Sequence, residues 1–266
     1  MPSPSRWKEG PDGSGIVVVT LSSWNVFADY VTEVLHNDRA YVYRGQLCSG
    51  WQLESSIDRI LKRIPIPAKG KIKILGSHLE AFRSAARGRR GPNPAPLDDE
   101  NEGWALGQHH GLLTPLFDFT ESPFVALYFA FEKESQVDYR SVWVVSEIAA
   151  EQISWDILTE MEGDDEIGRG SICEVVRPET HDNPRLVSQR GLFLRGRDGQ
   201  CIDDWFREHN ERNTTDYVVR RIDIPNNDRT VCLQTLNQMN INHLSLFPDM
   251  LGASLYANMQ LRIEGY

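Results

Sequence analysis

The stretch Gln108–Ala130, QHHGLLTPLFDFTESPFVALYFA, constrains this chain more than any other. A polar cluster and a glycine open it, and a short apolar run follows that is interrupted by Asp118 and a threonine. Ser122 before Pro123 is typical of a helix N-cap followed by proline in the first turn. The apolar residues beyond continue at helical spacing, which predicts a buried helix to about Glu132. Since polar groups between a core strand and a core helix are costly unless paired or used, we expect a functional site here.

The composition excludes several classes of protein. The 266 residues can bury a sizeable core, and a hydrophobic fraction of 40% is ordinary for a globular protein. No apolar run approaches the roughly 20 residues that a membrane helix needs. A formal net charge of −10 argues against broad non-specific binding to nucleic acid, which requires a basic surface. A local basic patch stays open, because Lys69–Arg90 holds several lysines and arginines.

Two segments have the composition of irregular structure. Residues 1–15 are polar and rich in proline and glycine, without the apolar segment of a signal peptide. We therefore expect a disordered lead-in and cytoplasmic localisation. Residues 88–103 combine prolines, glycines and an acidic run, which predicts a mobile loop inside the domain.

Metal and disulfide chemistry have little support in the sequence. The four cysteines are scattered without a CxxC pair, so reduced thiols in the core are favoured over a zinc site or a disulfide framework. His109 and His110 have no third ligand at a diagnostic spacing, so no metal is expected.

Strand and helix patterns alternate irregularly, which favours an α+β fold over a regular doubly wound sheet. Strands are predicted at Ile16–Leu21, Ala40–Gln46, Ser141–Ile148, Leu186–Leu194 and Tyr217–Ile224, and helices at Trp24–His36, Trp51–Ile64, Leu75–Arg87, Ile202–Asn213, Asp228–Asn240 and from Asp249 onward.

Arg44 stands at the end of one predicted strand, directly before Gly45. Such an arginine is compatible with an ordinary surface charge. It is also compatible with an anion clamp, because a rigid strand fixes the guanidinium and the missing Cβ of glycine lets a phosphate or a second backbone come close.

Four blocks of the chain together resemble the FRG-domain family, which is named for a Phe/Tyr-Arg-Gly element and is mostly prokaryotic and phage-related. The blocks are YRGQ at 43–46, the stretch at 108–130, SQRGLFL at 188–194 and MNINHLSLFPDMLGASLY at 239–256. They follow the order of the family and extend nearly to the end of the chain. The resemblance therefore implies one FRG-type α+β domain over residues 16–266, without supplying a reaction.

A second similarity is to the ADP-ribosyltransferase fold. Its members carry a strand-borne Arg-Gly, a Ser-Thr-Ser strand leading into a helix, and a Gln/Glu-x-Glu strand. Arg44-Gly45 matches the first motif, and DFT at 118–120 is similar to the second. QRG at 189–191 is similar to the third, with Gly191 where that fold has its catalytic glutamate. This similarity implies a split mixed or antiparallel sheet flanked by helices.

The same similarity implies NAD as the substrate. In that fold the arginine binds the NAD pyrophosphate, the second motif shapes the nicotinamide pocket, and the glutamate stabilises the ribosyl cation. Asp118 is the first candidate to replace the glutamate and Glu121 the second. His110 is the expected general base, because histidine exchanges protons near neutral pH. The expected catalytic residues are Asp118, His110 and Gln189, and the expected NAD-contacting residues are Arg44, Gly45, Gln108, Thr120 and Tyr128.

We therefore expect an ADP-ribosyltransferase-like toxin or effector of a prokaryotic toxin–antitoxin or anti-phage defence system, which transfers ADP-ribose from NAD to a protein or nucleic-acid target. An antitoxin or chaperone protein is an expected partner, and RNA is a possible target; a membrane is not expected. The alternative is a catalytically silent FRG module that senses a nucleotide or a phage protein, which Gly191 favours. A third candidate is a hydrolase or nuclease built on Asp118 and His110, which would act without NAD.

Overall fold

The structure is a computed structural model of the chain and describes residues 5–12, 15–35, 40–65, 67–91, 96–160, 171–179, 183–197, 199–212 and 219–266. Among the helices within these ranges, none combines the length and the apolar character that crossing a bilayer demands.

Eight strands and eleven α-helices lie within the described ranges, so the chain is an α+β protein, as expected. The strands are β1 (Trp7–Pro11), β2 (Ile16–Leu21), β3 (Tyr41–Gln46), β4 (Leu116–Thr120), β5 (Tyr139–Ser146), β6 (Glu174–Val176), β7 (Gly191–Arg195) and β8 (Val219–Pro225). The helices are α1 (Val26–Val34), α2 (Asp58–Leu61), α3 (Ala68–Ala86), α4 (Glu100–His109), α5 (Pro123–Phe131), α6 (Glu147–Glu160), α7 (Pro184–Ser188), α8 (Ile202–Glu208), α9 (Arg229–Gln238), α10 (His243–Leu246) and α11 (Met250–Arg262).

The strands form one mixed sheet in the order β1-β2-β8-β5-β3-β4-β7-β6. β2 and β8 run parallel, and the other neighbouring strands run antiparallel. β5 alternates its side chains between the two faces, as a strand covered on both sides must. Val142 and Val144 join the core beneath α1, α5 and α9, while Trp143 and Val145 join the core beneath α6 and α8.

The ladder between β3 and β4 is almost unformed. β3 pairs with β5 along its whole length, from Tyr41 opposite Ser146 to Gln46 opposite Ser141. Its register with β4 consists of a single pair, Tyr43 opposite Thr120. The sheet is therefore split between β3 and β4 beyond this point.

The position of β3 depends on a close contact with α5. A Cβ atom placed on Gly45 would lie 2.0 Å from the carbonyl oxygen of Ala126 and 2.6 Å from the amide nitrogen of Ala130. Only a residue without a side chain permits this approach. The helix itself begins where the sequence predicts, because the Ser122 hydroxyl accepts a hydrogen bond from the amide of Val125 at 3.4 Å and proline follows.

Parts of the N-terminal segment and of the expected loop at 88–103 lie in regular secondary structure. Trp7–Pro11 pairs antiparallel with β2 as an edge strand, whereas residues 1–4 and 13–14 lie outside the described residues. Glu100–Gly103 is the first turn of α4, capped by the Asp99 carboxylate, which accepts from the amide of Glu102 at 2.9 Å. Residues 92–95 of the predicted loop lie outside the described residues.

Two further assignments are corrected by the structure. The predicted helix over Trp51–Ile64 is a loop followed by the short α2, and the next helix begins earlier than expected, at Ala68. The predicted strand over Leu186–Leu194 contains a helix, a turn and a strand instead. Asn183 caps α7 by accepting from the amide of Leu186 at 3.2 Å, and Arg190 turns the chain with a φ of 45° before β7 begins.

Gly45→Ala is expected to lower the free energy of unfolding by about 3 kcal/mol or more, because the added methyl group must push β3 away from the backbone of α5. Gly76→Ala is the matched control, since Gly76 lies in α3 with open space around its Cα. That change should raise the free energy by about 0.5–1 kcal/mol through helix propensity. Urea unfolding measures both changes; equal effects of the two variants would contradict the contact.

Candidate functional site

A cavity of about 760 Å³ opens where the sheet is split. Its walls come from β3, β4, the loop after β3, α5, α7 and the segment after α10. The lining side chains include three arginines, four glutamines, three acids and several aromatic rings: Arg44, Arg59, Arg185, Gln46, Gln52, Gln108, Gln189, Glu54, Asp118, Glu132, Trp51, Phe129, Phe193 and Phe247. Cavities of this size hold ligands of nucleotide dimensions.

Arg44 extends from β3 across the split to β4. Its Nη1 donates to the backbone carbonyl of Asp118 at 2.6 Å and lies 3.8 Å from the Oδ2 atom of the same residue. Its Nε is buried and has no hydrogen-bond partner among the described residues. Burial lowers the pKa of Arg44, the carboxylate of Asp118 opposes this, and the charge of Arg59 acts in the lowering direction. With 26% of its side-chain surface exposed to the cavity, the guanidinium can bind an anion there.

The carboxylate of Asp118 is oriented by two side chains in series. The Nε2 atom of Gln108 donates to its Oδ1 at 2.7 Å, and the hydroxyl of Thr114, which is fully buried, donates to the Oε1 of Gln108. The hydroxyl fixes which way the amide points, so the amide must donate to the acid. Asp118 remains 71% exposed on its outer side, which leaves its Oδ2 facing the cavity mouth and Arg44.

Gly45 and Thr120 lie at the cavity but have structural partners. The sequence left open whether Gly45 makes room for a phosphate or for a second backbone. The backbone of α5 occupies this space, so close packing explains the glycine. The hydroxyl of Thr120 donates to the carbonyl of Gln189 at 2.7 Å and accepts from the amide of Ser122 at 3.0 Å. Thr120 therefore joins the turn after α7 to the first turn of α5.

Gln189 lines the cavity from a turn. It is the C-cap of α7, and its Nε2 donates to the carbonyl of Leu246 at 3.1 Å. Gly191 is the first residue of β7 and pairs with Thr120. A Cβ on Gly191 would lie 2.8 Å from the Cδ1 atom of Leu186, so the position expected to carry a glutamate is tight.

Three of the candidate residues lie outside the cavity. His110 is exposed at the end of α4, while its neighbour His109 lines the cavity. Burial, and then the charge of His110, lowers the pKa of His109.

Tyr128 is fully buried beneath the sheet, where burial raises its pKa, and its hydroxyl contacts His243 at 2.7 Å. Glu121 forms ion pairs with Arg190 at 3.1 Å and Arg177 at 3.4 Å. Tyr128 is thus a core residue, and Asp118 and His110 do not meet as the hydrolase alternative requires.

The loop between β3 and α2 forms a wall that the sequence did not indicate. The amide of Leu53 donates to the buried carboxylate of Asp203 at 2.9 Å, and the amide of Ile202 donates back to the carbonyl of Leu53 at 2.9 Å. This reciprocal pair docks the loop on the N-terminus of α8 and presents Trp51 and Gln52 to the cavity. Acidic residues in the first turn of α8 were the available signal, since they attract backbone amides.

The opposite wall comes from residues distant in sequence. Arg185 of α7 pairs with Asp249 at 2.5 Å and lies 5.5 Å over the ring of Phe247. The ring of Phe247 packs edge-on against Phe129 at 6.2 Å. The contacts between α7 and Phe247 could not be inferred from residue spacing, because two strands and three α-helices of the described residues separate them along the chain.

The described residues contain no evident metal site, and the basic segment Lys69–Arg90 lies away from the cavity. Across the described ranges, no three His, Cys, Asp or Glu side chains cluster in a way that would hold a metal ion. The Lys69–Arg90 segment falls mainly on α3, and none of its described residues lines the cavity. Arg83 pairs with Glu80 at 2.7 Å, and Arg89 donates to the carbonyl of Ala85 at 2.8 Å.

Fold and site together define an α+β protein with a nucleotide-sized cavity in a split mixed sheet. Residues 39–139 match the family model of the FRG domain. The match spans β3, β4, α5 and the start of β5, and thus both sides of the split. No curated protein and no solved structure matches the chain at the significance required. The extension of a single domain over residues 16–266 stays a prediction.

Thr114→Val is expected to lower the free energy of unfolding by about 1–2 kcal/mol, because it leaves the Oε1 of Gln108 without its donor in a partly buried setting. Thr159→Val is the matched control, since the Thr159 hydroxyl bonds the carbonyl of Asp156 on an exposed turn of α6. That change should stay within about 0.5 kcal/mol. Urea unfolding of both variants is the measurement, and a Thr114 effect as small as the control would contradict the orienting role.

Proposed function

We propose that this FRG-domain protein binds NAD in the split of its sheet and transfers ADP-ribose from it. The observation that carries the proposal is the guanidinium of Arg44, which lies in a nucleotide-sized cavity with a buried Nε that has no partner among the described residues. A carboxylate with a fixed orientation, Asp118, lies beside it. The residues present therefore fit a ligand that carries phosphate and a reacting ribose.

Binding of the dinucleotide is supported by charge and by shape. Arg44 has one Nη engaged with the backbone, which leaves the rest of its planar fork for phosphate oxygens. Arg59 lines the same cavity and is exposed, and it adds a second positive charge. Trp51 and Phe129 offer ring surfaces for the bases of the ligand, since bases stack on aromatic side chains.

The chemistry follows from the position of Asp118. When the bond between nicotinamide and ribose breaks, its electron pair leaves with nicotinamide and positive charge develops on the ribose. A carboxylate held at that point stabilises the charge, which is the role expected of the missing glutamate at Gly191. Gln108 limits the motion of this carboxylate, and preorganisation of this kind makes electrostatic stabilisation effective.

The biological role is proposed on the resemblance alone. ADP-ribose would be transferred in the cytoplasm to a protein or nucleic-acid target, and the protein would act as a toxin or effector of a toxin–antitoxin or anti-phage system. An antitoxin or chaperone would restrain it. Incubation with labelled NAD and cell lysate identifies the class of acceptor, because protease and ribonuclease remove the label selectively.

The second candidate is a catalytically silent module that binds a nucleotide. Two observations favour it. Gln189 is occupied by the carbonyl of Leu246, and Gly191 supplies no carboxylate at the place where the resembling fold has its catalytic glutamate. Such a module would bind NAD and release no nicotinamide.

Arg44→Lys is expected to weaken NAD binding about tenfold to a hundredfold, because lysine cannot donate through a planar fork and charge-assisted hydrogen bonds contribute about 1.5–3 kcal/mol. Arg87→Lys, at an exposed position beyond α3, should bind like the wild type. Calorimetric titration with NAD measures both affinities. The assignment fails if the two variants bind equally well.

Asp118→Asn is expected to slow nicotinamide release about 10²–10³-fold while leaving NAD affinity nearly unchanged, because the developing positive charge loses its counter-charge. Glu121→Gln is the matched control, since that carboxylate is held by Arg177 and Arg190 away from the cavity. Chromatographic assay of free nicotinamide measures the rates. If Glu121→Gln slowed nicotinamide release as much as Asp118→Asn, the assignment of Asp118 as the catalytic acid would be contradicted.

A further inference from the structure

A second carboxylate lines the cavity in a place that is unfavourable for a carboxylate. Glu132 follows the last residue of α5 and lies at the negative end of the helix dipole. Only 14% of its side-chain surface is exposed. Burial raises the pKa of Glu132, and the charges of Lys133 and Arg229 offset this only in part.

The side chains that approach the carboxylate of Glu132 make no short contact with it. The Nζ atom of Lys133 lies 3.6 Å from Oε1, and the Nε2 atom of His243 lies 3.8 Å from Oε2. Arg229 of α9 is engaged with the main chain, where it donates to the carbonyls of Phe131 and Glu132. The Lys133 ammonium and the His243 ring thus lie farther from the carboxylate than hydrogen-bond distance, and its oxygens stay available to a ligand in the cavity.

His243 is positioned behind Glu132 by a tyrosine. The hydroxyl of Tyr128 and the Nδ1 atom of His243 lie 2.7 Å apart in the core, and Tyr266 approaches the same hydroxyl at 3.4 Å. Burial, then the charge of Lys133, lowers the pKa of His243, which favours the neutral ring. A neutral ring that accepts the Tyr128 proton at Nδ1 carries its own hydrogen on Nε2, which faces Glu132.

We propose that Glu132, backed by His243, is the proton acceptor of the transfer reaction and that the acceptor substrate is a nucleophile carrying an O–H or N–H group. This proposal rests on the proposed function. The nucleophile attacks C1′ of the ribose, the bond from C1′ to the nicotinamide nitrogen breaks, and its electron pair leaves with nicotinamide. The proton of the nucleophile passes to Glu132. Asp118 stabilises the ribose and Glu132 takes the proton, so the two carboxylates divide the work that one glutamate does in the resembling fold.

Water serves as the simplest nucleophile for the test, so the probe is NAD alone and the readouts are nicotinamide release and NAD affinity. Glu132→Gln should slow release about 10²–10⁴-fold, the range for loss of a general base, with affinity changed by no more than about threefold. The wild-type rate should fall as the pH drops through the raised pKa of Glu132, and the variant should lose this dependence. Formate should restore part of the rate of Glu132→Ala by replacing the missing carboxylate.

Glu134→Gln is the matched control, because Glu134 is two residues further, 75% exposed and outside the cavity lining. It should match the wild type in rate, affinity and pH dependence. Glu132→Gln turning over like this control, or losing NAD affinity along with rate, would overturn the assignment of Glu132 while leaving the proposed function in place. A wild type that binds NAD without releasing nicotinamide overturns it too and supports the silent module. A wild type that binds no NAD overturns the proposed function itself.

Discussion

The backbone contact between Gly45 and α5 is the constraint on which the site depends. β3 is held on one side by a full ladder with β5 and from above by the carbonyl of Ala126. On its other side it meets β4 only at Tyr43. If β3 and β4 paired along their whole length, their backbone N–H and C=O groups would bond to each other and no cavity would remain between them. Because the ladder stays open, the guanidinium of Arg44 reaches the carbonyl of Asp118 in place of a strand amide.

The groups around the opening are not those that stability alone would select. A buried donor without a partner, such as the Nε of Arg44, costs about 1–3 kcal/mol. Groups of this kind are uncommon in native proteins and call for a role such as ligand binding. The chain Thr114–Gln108–Asp118 has the opposite character, since each member satisfies the next. The cavity thus combines a carboxylate of fixed orientation with an arginine that has an unused hydrogen-bond donor.

Elements with strong local signals were predictable from the sequence, and elements formed by tertiary packing were not. The β-branched run Ile16–Leu21 and the pair Ser122-Pro123 led to β2 and α5 directly. α4 contains Gly103 and Gly107, which disfavour a helix by about 1 kcal/mol each. The structure retains Gly107 because a Cβ there would lie 2.5 Å from the Cδ2 atom of Leu112, a packing fact that no local pattern reveals.

The same distinction applies to the site. Arg44, Gln108 and Asp118 were inferred from one continuous stretch and a motif, and the structure brings them together at the cavity. Gln189 reaches the cavity from a turn, because the helix that begins at Pro184 extends into the predicted strand Leu186–Leu194. Glu132 looks like an ordinary charge after a helix in the sequence. Its setting is created by His243, which approaches from a segment more than a hundred residues later.

Glu132 also bears on the choice between an enzyme and a silent module. A buried carboxylate repels the phosphates of an anionic nucleotide strongly where solvent is excluded, and it favours binding only where it accepts hydrogen bonds from hydroxyl or amino groups of the ligand. Arg44 and Arg59 would bind phosphate more tightly without it. A reaction that develops positive charge on a ribose and releases a proton needs negative groups at those two points, and the cavity has Asp118 and Glu132 among its walls. Under the proposed function, the two carboxylates complement the charge of the transition state, and an interaction that is stronger in the transition state than in the bound ligand is what accelerates a reaction.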